Sequence, residues 1–190
     1  MRTRLAWSFV LANLSMKCHP ATLADTVTAI TVEYEFQPEG KLWLRYFVDC
    51  DLENLILPVP VEPQRSDGLW TTTCFELFLR QPDSLGYFEF NFSSSSQWAA
   101  YRFDDYREGM TDWDTPRPEI GDDASDTHFA LEATLALPQS GAGDWEVSLS
   151  AVIHERNDIK SYWALKHAAG KPDFHHRDCF ALKLAPPVML

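Results

Sequence analysis

From Val27 to Leu184 the chain is written almost entirely in short runs with a period of two, and this constrains the fold more than any other feature. Ile30, Val32, Tyr34 and Phe36 alternate with Thr31, Glu33 and Glu35. After the Pro-Glu-Gly sequence at 38–40, Leu42, Leu44, Tyr46 and Val48 alternate with Trp43, Arg45 and Phe47. Residues two apart share one face of a strand, so this pattern predicts a hairpin with one apolar face. The same reading applies to TCFELFLR (73–80), YFEFNF (87–92), WAAYRF (98–103), HFALEATLAL (128–137), DWEVSLSAVIH (144–154), SYWALK (161–166) and CFALKL (179–184). No segment of normal helix length carries apolar residues at helical spacing. Eight to ten short strands predict an all-β chain: two packed antiparallel sheets, a jelly-roll-like β-sandwich. Pro58, Pro60 and Pro63 exclude 54–64 from a central strand, because proline lacks the backbone donor. The acidic segment 104–126, with Pro116, Pro118 and Gly121, is predicted to be the longest loop, where such scaffolds carry their sites.

At 190 residues the chain is long enough to bury a substantial core as a single domain without disulfides or metals. A formal net charge of −12 argues against nucleic acid and anionic membrane surfaces as partners. Cys18, Cys50, Cys74 and Cys179 show no CxxC spacing, and Cys74 and Cys179 sit in apolar runs where buried free thiols are expected. Residues 1–18 are set apart from a domain at 19–190. Arg2, Arg4, the apolar run from Leu5 to Leu14 and Ala24 outline a secretory signal, while Asn13 and Lys17 interrupt it. Met16 as the natural start implies a cytoplasmic protein; a signal over residues 1–24 implies a periplasmic or secreted one. No stretch reaches the roughly 20 apolar residues of a membrane-spanning helix.

The candidate site lies in FEFNF (88–92). Phe88, Phe90 and Phe92 fall on one face and Tyr87, Glu89 and Asn91 on the other, which reads as core against a solvated or ligand-facing surface. If the 73–80 strand pairs with this one, Glu76 joins Glu89 and Asn91. Carboxylates and amides on one face suit sugar hydroxyls, and tryptophans suit the apolar faces of a pyranose. Asn91 could instead cap the turn that follows it. Trp70, Trp98 and Trp163 are the stacking candidates, weighed against burial in the core. Arg65 and Trp70 flank a predicted Asp67-Gly68 turn. Arg102 could meet the ligand, or Arg102 and Arg107 could pair with Glu76 and Glu89 as a solvated ion-pair row.

The runs RSDGLWTTTCFELFL (65–79), YFEFNFSSSSQWAAYRFDDYREGM (87–110) and SYWALKHAAGKPDFHHRDCFALKL (161–184) occur in the order seen in the DOMON-like bacterial proteins related to family 9 carbohydrate-binding modules, and the chain resembles them from about His19 to Leu184. The resemblance implies a sandwich that binds a sugar or a haem, without catalytic activity. The chain departs from that pattern at Ser93–Ser96 and at Ala168-Ala169, where relatives commonly carry prolines.

The function expected is therefore noncovalent binding of a small-molecule or oligosaccharide ligand by Arg65, Trp70, Glu76, Glu89, Asn91, Trp98, Arg102, Trp163, His167 and His175. The alternatives are a haem-binding electron-transfer domain, with Met110 and one of His167, His175 and His176 as axial ligands, and a scaffold with no small-molecule ligand. A metal site is not expected, since His175 and His176 are adjacent in sequence and no second cluster completes a tetrahedral set with Cys179. Glu76 and Glu89 could meet the carboxyl spacing of a glycosidase, but nothing in the sequence separates an acid from a nucleophile, and no enzyme is predicted.

Overall fold

The computed structural model describes residues 12–138 and 144–185. Thirteen strands follow in chain order: β1 (Ala12–Ser15), β2 (Lys17–Cys18), β3 (Ala29–Gln37), β4 (Lys41–Asp49), β5 (Cys74–Arg80), β6 (Tyr87–Phe92) and β7 (Trp98–Phe103), and then β8 (Thr111–Asp112), β9 (Glu119–Ser125), β10 (His128–Ala136), β11 (Trp145–Glu155), β12 (Ile159–Ala164) and β13 (Leu182–Leu184). All pairings between them are antiparallel. Helical structure among the described residues is confined to three-residue 3₁₀ turns.

The strands form a small sheet, β1-β3-β4-β10-β9, packed on a large one, β2-β12-β11-β5-β6-β7-β8, with β13 also paired to β11. The β-sandwich predicted from the period-two runs is the observed fold. The apolar positions of β3, β4 and β10 meet those of the large sheet: Ile30, Val32, Leu42, Leu44, Phe129 and Leu131 pack against Phe75, Leu77, Phe90, Phe92, Val147 and Leu149. Tyr46 crosses this interior and donates its hydroxyl to the Glu76 carbonyl at 2.8 Å, joining the two sheets through a buried polar contact.

Two regions differ from the sequence expectation. The 104–126 segment is not one long loop, because Glu119–Ser125 pairs along β10 as the outer strand of the small sheet. Its residues, GDDAS after Glu119 and Ile120, carry no apolar alternation. An edge strand with one neighbour and acidic side chains needs no buried stripe, and its charges discourage further strand pairing. Residues 12–18, ahead of the boundary drawn at 19, supply the edge strands β1 and β2, pairing with β3 and β12, and Met16 between them is buried in the core. The first eleven residues lie outside the described part of the chain.

The turn at 93–96 is held by its own backbone and serine side chains. Ser96 takes a left-handed conformation (φ 68°), the Ser93 amide donates to the Gln97 carbonyl, and Ser94 Oγ donates to the Pro58 carbonyl. All four cysteines are free thiols, with Cys74 and Cys179 buried.

Candidate functional site

The centre of the large sheet is buried on both faces, which is why all but the last residue of β5 is inaccessible. Its outer face carries a second apolar cluster made by Leu69, Cys74, Phe78, Tyr87, Ala99, Tyr101, Phe103, Val152, Ala164 and Phe174. The segment 165–181 covers it: Phe180 lies edge-on to Phe78 and Tyr87, and Phe174 packs against Tyr162. The face read from the sequence as solvated or ligand-facing is therefore roofed by loops.

Strand register sets the polar residues under that roof. Glu76 lies opposite Asn91, Phe78 opposite Glu89, and Ser150 of β11 opposite Glu76. Glu76 is 3% exposed, Glu89 4% and Asn91 0%. Ser150 Oγ donates to Glu76 Oε2 at 3.0 Å, and Asn91 Nδ2 donates to Glu89 Oε1 at 2.8 Å. Burial pushes both carboxyls well above the usual carboxylate range, and the Glu89 charge pushes Glu76 further in the same direction.

Above the carboxyls the roof leaves a cavity of about 430 Å³. Glu76 and Glu89 line its base, Tyr101, Phe103, Val152, Tyr162 and Phe174 its walls, and Trp70, Met110 and Arg107 also border it. Trp70 is 41% exposed and sits edge-on to Tyr101 at 6.2 Å. It rides on the short turn Leu69–Thr71, entered through Gly68 in the left-handed conformation (φ 73°), so Asp67-Gly68 is the turn expected. Asp67 in turn accepts the Tyr101 hydroxyl at 2.7 Å, which fixes that ring.

Two loops meet at the cavity through one carboxylate. Asp173 Oδ1 accepts from Arg107 Nη2 at 2.8 Å and from the His175 amide at 3.2 Å, while Oδ2 accepts from the Tyr106 hydroxyl. Arg107 itself has a positive φ of 56°, and Gly109 follows at 66°. A Cβ on Gly109 would fall 2.5 Å from the Asp104 carboxylate, so the loop needs glycine there. The Arg107 amide donates to Tyr87 Oη at 3.2 Å, and Tyr87 Oη lies 2.8 Å from His175 Nδ1. With its oxygen already accepting from that amide, Tyr87 can donate to Nδ1, which leaves the ring neutral with its proton on Nε2. Burial, reinforced by Arg107, lowers the His175 pKa to about 4.

Of the residues selected from the sequence, the structure brings Trp70, Glu76, Glu89 and His175 to this cavity, with Asn91 directly behind Glu89. Five others are elsewhere. Trp98 and Arg102 share the opposite face of β7 from Tyr101: Trp98 is 7% exposed in the core between the sheets, and Arg102 is exposed and paired with Asp104 at 3.4 Å. Trp163 is likewise in that core, its indole donating to Ser161 Oγ. Arg65 donates to the Ala100 and Trp113 carbonyls and lies 5.2 Å from the Trp98 ring, bracing the β7 edge. His167 bonds the Lys17 carbonyl through Nε2 and meets His19 edge-on, tying the covering segment to β2. The solvated ion-pair row with Glu76 and Glu89 is absent among the described residues, because both carboxyls are buried, Arg102 is on the other face and Arg107 is held by Asp173.

His176 lines a second cavity of about 440 Å³ beyond Tyr87 and His175, with Arg80, Tyr106 and Arg177. Among the described residues no group of three or more His, Cys, Asp and Glu side chains could hold a metal ion. Sequence reasoning missed Tyr101, whose odd-numbered position places it on the Glu89 face, and also Asp173 and Phe174, which lie in a covering loop without periodicity.

No family model matches the chain, and no curated protein matches it. Among solved structures it is similar to a proposed carbohydrate-binding protein from Bacteroides uniformis, with a TM-score of 0.64, 10% identity, and coverage of 89% of this chain and 84% of that one. It is also similar to a family 9 carbohydrate-binding module from Caldicellulosiruptor kristjanssonii in complex with cellotriose, with a TM-score of 0.50, 13% identity, and coverage of 84% and 75%. These likenesses establish a shared sandwich fold.

Proposed function

We propose that this chain binds a carbohydrate or a similar polyhydroxylated small molecule, without converting it, in the cavity on the outer face of its large sheet. The observation that carries the reading is the pairing of two buried carboxyls, Glu76 and Glu89, with the half-exposed indole of Trp70 at one cavity. Carboxyls held near their protonation point both donate and accept, as sugar hydroxyls require, and an indole face covers the apolar side of a pyranose. The likeness to carbohydrate-binding proteins supports the same reading through the fold.

A hydrolytic role is less well supported by the geometry. Glycoside hydrolysis assigns different tasks to two carboxyls whose environments push their pKa values apart. Here burial raises both, on neighbouring strands, with one neutral donor each.

Haem fits the cavity poorly. Met110 and His175 border it together, but Met110 is 55% exposed, and the base presents two carboxyls to what would be an apolar ring system. Calorimetric titration of the purified chain with a panel of mono- and oligosaccharides, with an absorption spectrum of the same sample, tests the reading. Saturable binding without a Soret band is expected; a Soret band, or no binding of any saccharide, overturns it and leaves a haem protein or a ligand-free scaffold respectively.

A further inference from the structure

The two carboxyls at the base of the cavity are incompletely satisfied by the protein. Glu76 Oε2 takes the Ser150 hydroxyl and Glu89 Oε1 takes the Asn91 amide. Among the described residues no donor is within hydrogen-bonding reach of Glu76 Oε1. Glu89 Oε2 has only His175 Nδ1 nearby, at 3.9 Å, and that nitrogen faces the Tyr87 hydroxyl instead. Each carboxyl thus keeps one oxygen without a protein donor in a cavity that both residues line. Both oxygens are accessible from that cavity, so a donor carried by a ligand can reach them there.

The charge around them is one-sided. Cys74 and Tyr101, on the same face, are held neutral by burial, and His175 is held neutral by burial and Arg107. The cation bordering the cavity, Arg107, has its guanidinium bonded to Asp173, which offsets it. Ionised Glu76 and Glu89 would therefore be compensated only in part, by the attraction of Arg107, within walls made of Tyr101, Phe103, Tyr162 and Phe174 with Trp70 at the edge. Carboxylates beneath aromatic faces are the setting in which an ammonium is bound, by charge-assisted hydrogen bonds and cation–π attraction.

We infer that the ligand of this cavity carries a protonated amine, which is seated between Glu76 and Glu89 and gives the two carboxyl oxygens their missing donors. The inference rests on the proposed reading of the cavity as a site for a polyhydroxylated molecule, and together they name the amino-sugar class. The single charge of the ammonium takes the place of one proton on the carboxyl pair, so a proton leaves Glu76 and Glu89 for the buffer as the ligand enters.

Calorimetry on the full chain near neutral pH, with glucosamine, N-acetylglucosamine, glucose and cyclohexylamine as probes, in two buffers of different ionisation enthalpy, tests this. Glucosamine is expected to bind about tenfold or more tightly than glucose or N-acetylglucosamine. Its apparent enthalpy is expected to change with buffer in the sense of proton release. Glu89→Gln and Glu76→Gln, each checked for a retained cooperative melting transition, are expected to abolish the preference. Equal affinity for glucose and glucosamine overturns the amine inference and leaves the carbohydrate reading standing. Binding of cyclohexylamine but no sugar keeps the amine seat and overturns the carbohydrate reading. No binding by any of the four probes overturns both.

Discussion

Replacing Glu76 by glutamine should change how stability depends on pH, and the sign follows from the environment of the carboxyl pair. Burial raises both carboxyl pKa values in the folded chain, whereas in the unfolded chain they return to about 4.3. Between those values the folded state binds more protons than the unfolded one. The stabilisation is fully present below the unfolded value and is lost as pH rises through the folded ones. For one proton held by the pair, the slope is about −1.4 kcal/mol per pH unit, or roughly 3 kcal/mol over two units. His175 acts in the opposite sense: its lowered pKa of about 4 makes stability rise with pH up to about 6.5, its unfolded value, and leaves it silent above that. The carboxyl slope is therefore exposed most cleanly above about pH 6.5. Urea unfolding of wild type and Glu76→Gln at several pH values gives the difference directly, because the repulsion from the net charge of −12 is nearly common to both. The stability of wild type relative to the variant should fall as pH rises. Parallel profiles across the range would refute the shared-proton reasoning.

Other predictions follow from burial and bonding. Phe90→Ala empties a fully buried site between the sheets and should cost about 3–5 kcal/mol in urea unfolding. Asn91→Ala removes the donor to a buried carboxylate; it should cost about 1–3 kcal/mol and also weaken ligand binding, so that a stability-neutral result would contradict the bonding described. Glu155 is 1% exposed and accepts from the amides of Asp25, Thr26 and Val27 and from the Thr26 hydroxyl. Glu155→Ala should cost about 2–4 kcal/mol and speed proteolysis within 20–28, whereas unchanged cleavage would show that this segment is held by other contacts.

The sandwich was legible because strands with one apolar face announce themselves by alternation, as in Ile30 to Phe36 and Leu42 to Val48. The grouping of Glu76, Glu89 and Asn91 was legible for the same reason, since pairing fixes which residues share a face. The tryptophans were not. Trp98 and Trp163 lie in strands and face the interior, whereas Trp70 rides on a turn, and a lone aromatic in a strand does not reveal which face is core when both faces are covered. The roof was invisible too. Its contacts depend on Asp173 joining Tyr106 and Arg107 across more than sixty residues of chain, a distance that neither period nor local turn chemistry encodes. The edge strand β9 escaped notice because its sheet neighbour among the described residues, β10, satisfies its backbone without requiring apolar side chains.

Tryptophan fluorescence titration of wild type and Trp70→Ala with the tightest-binding saccharide from the calorimetric panel tests the central claim most directly. Trp70 borders the cavity, while Trp98, Trp145 and Trp163 are buried in the core between the sheets. A saturable change in wild type that disappears in the variant, with affinity reduced about tenfold or more and the melting transition retained, is the predicted result. The same saturable change and affinity in Trp70→Ala would place the ligand elsewhere and contradict the account.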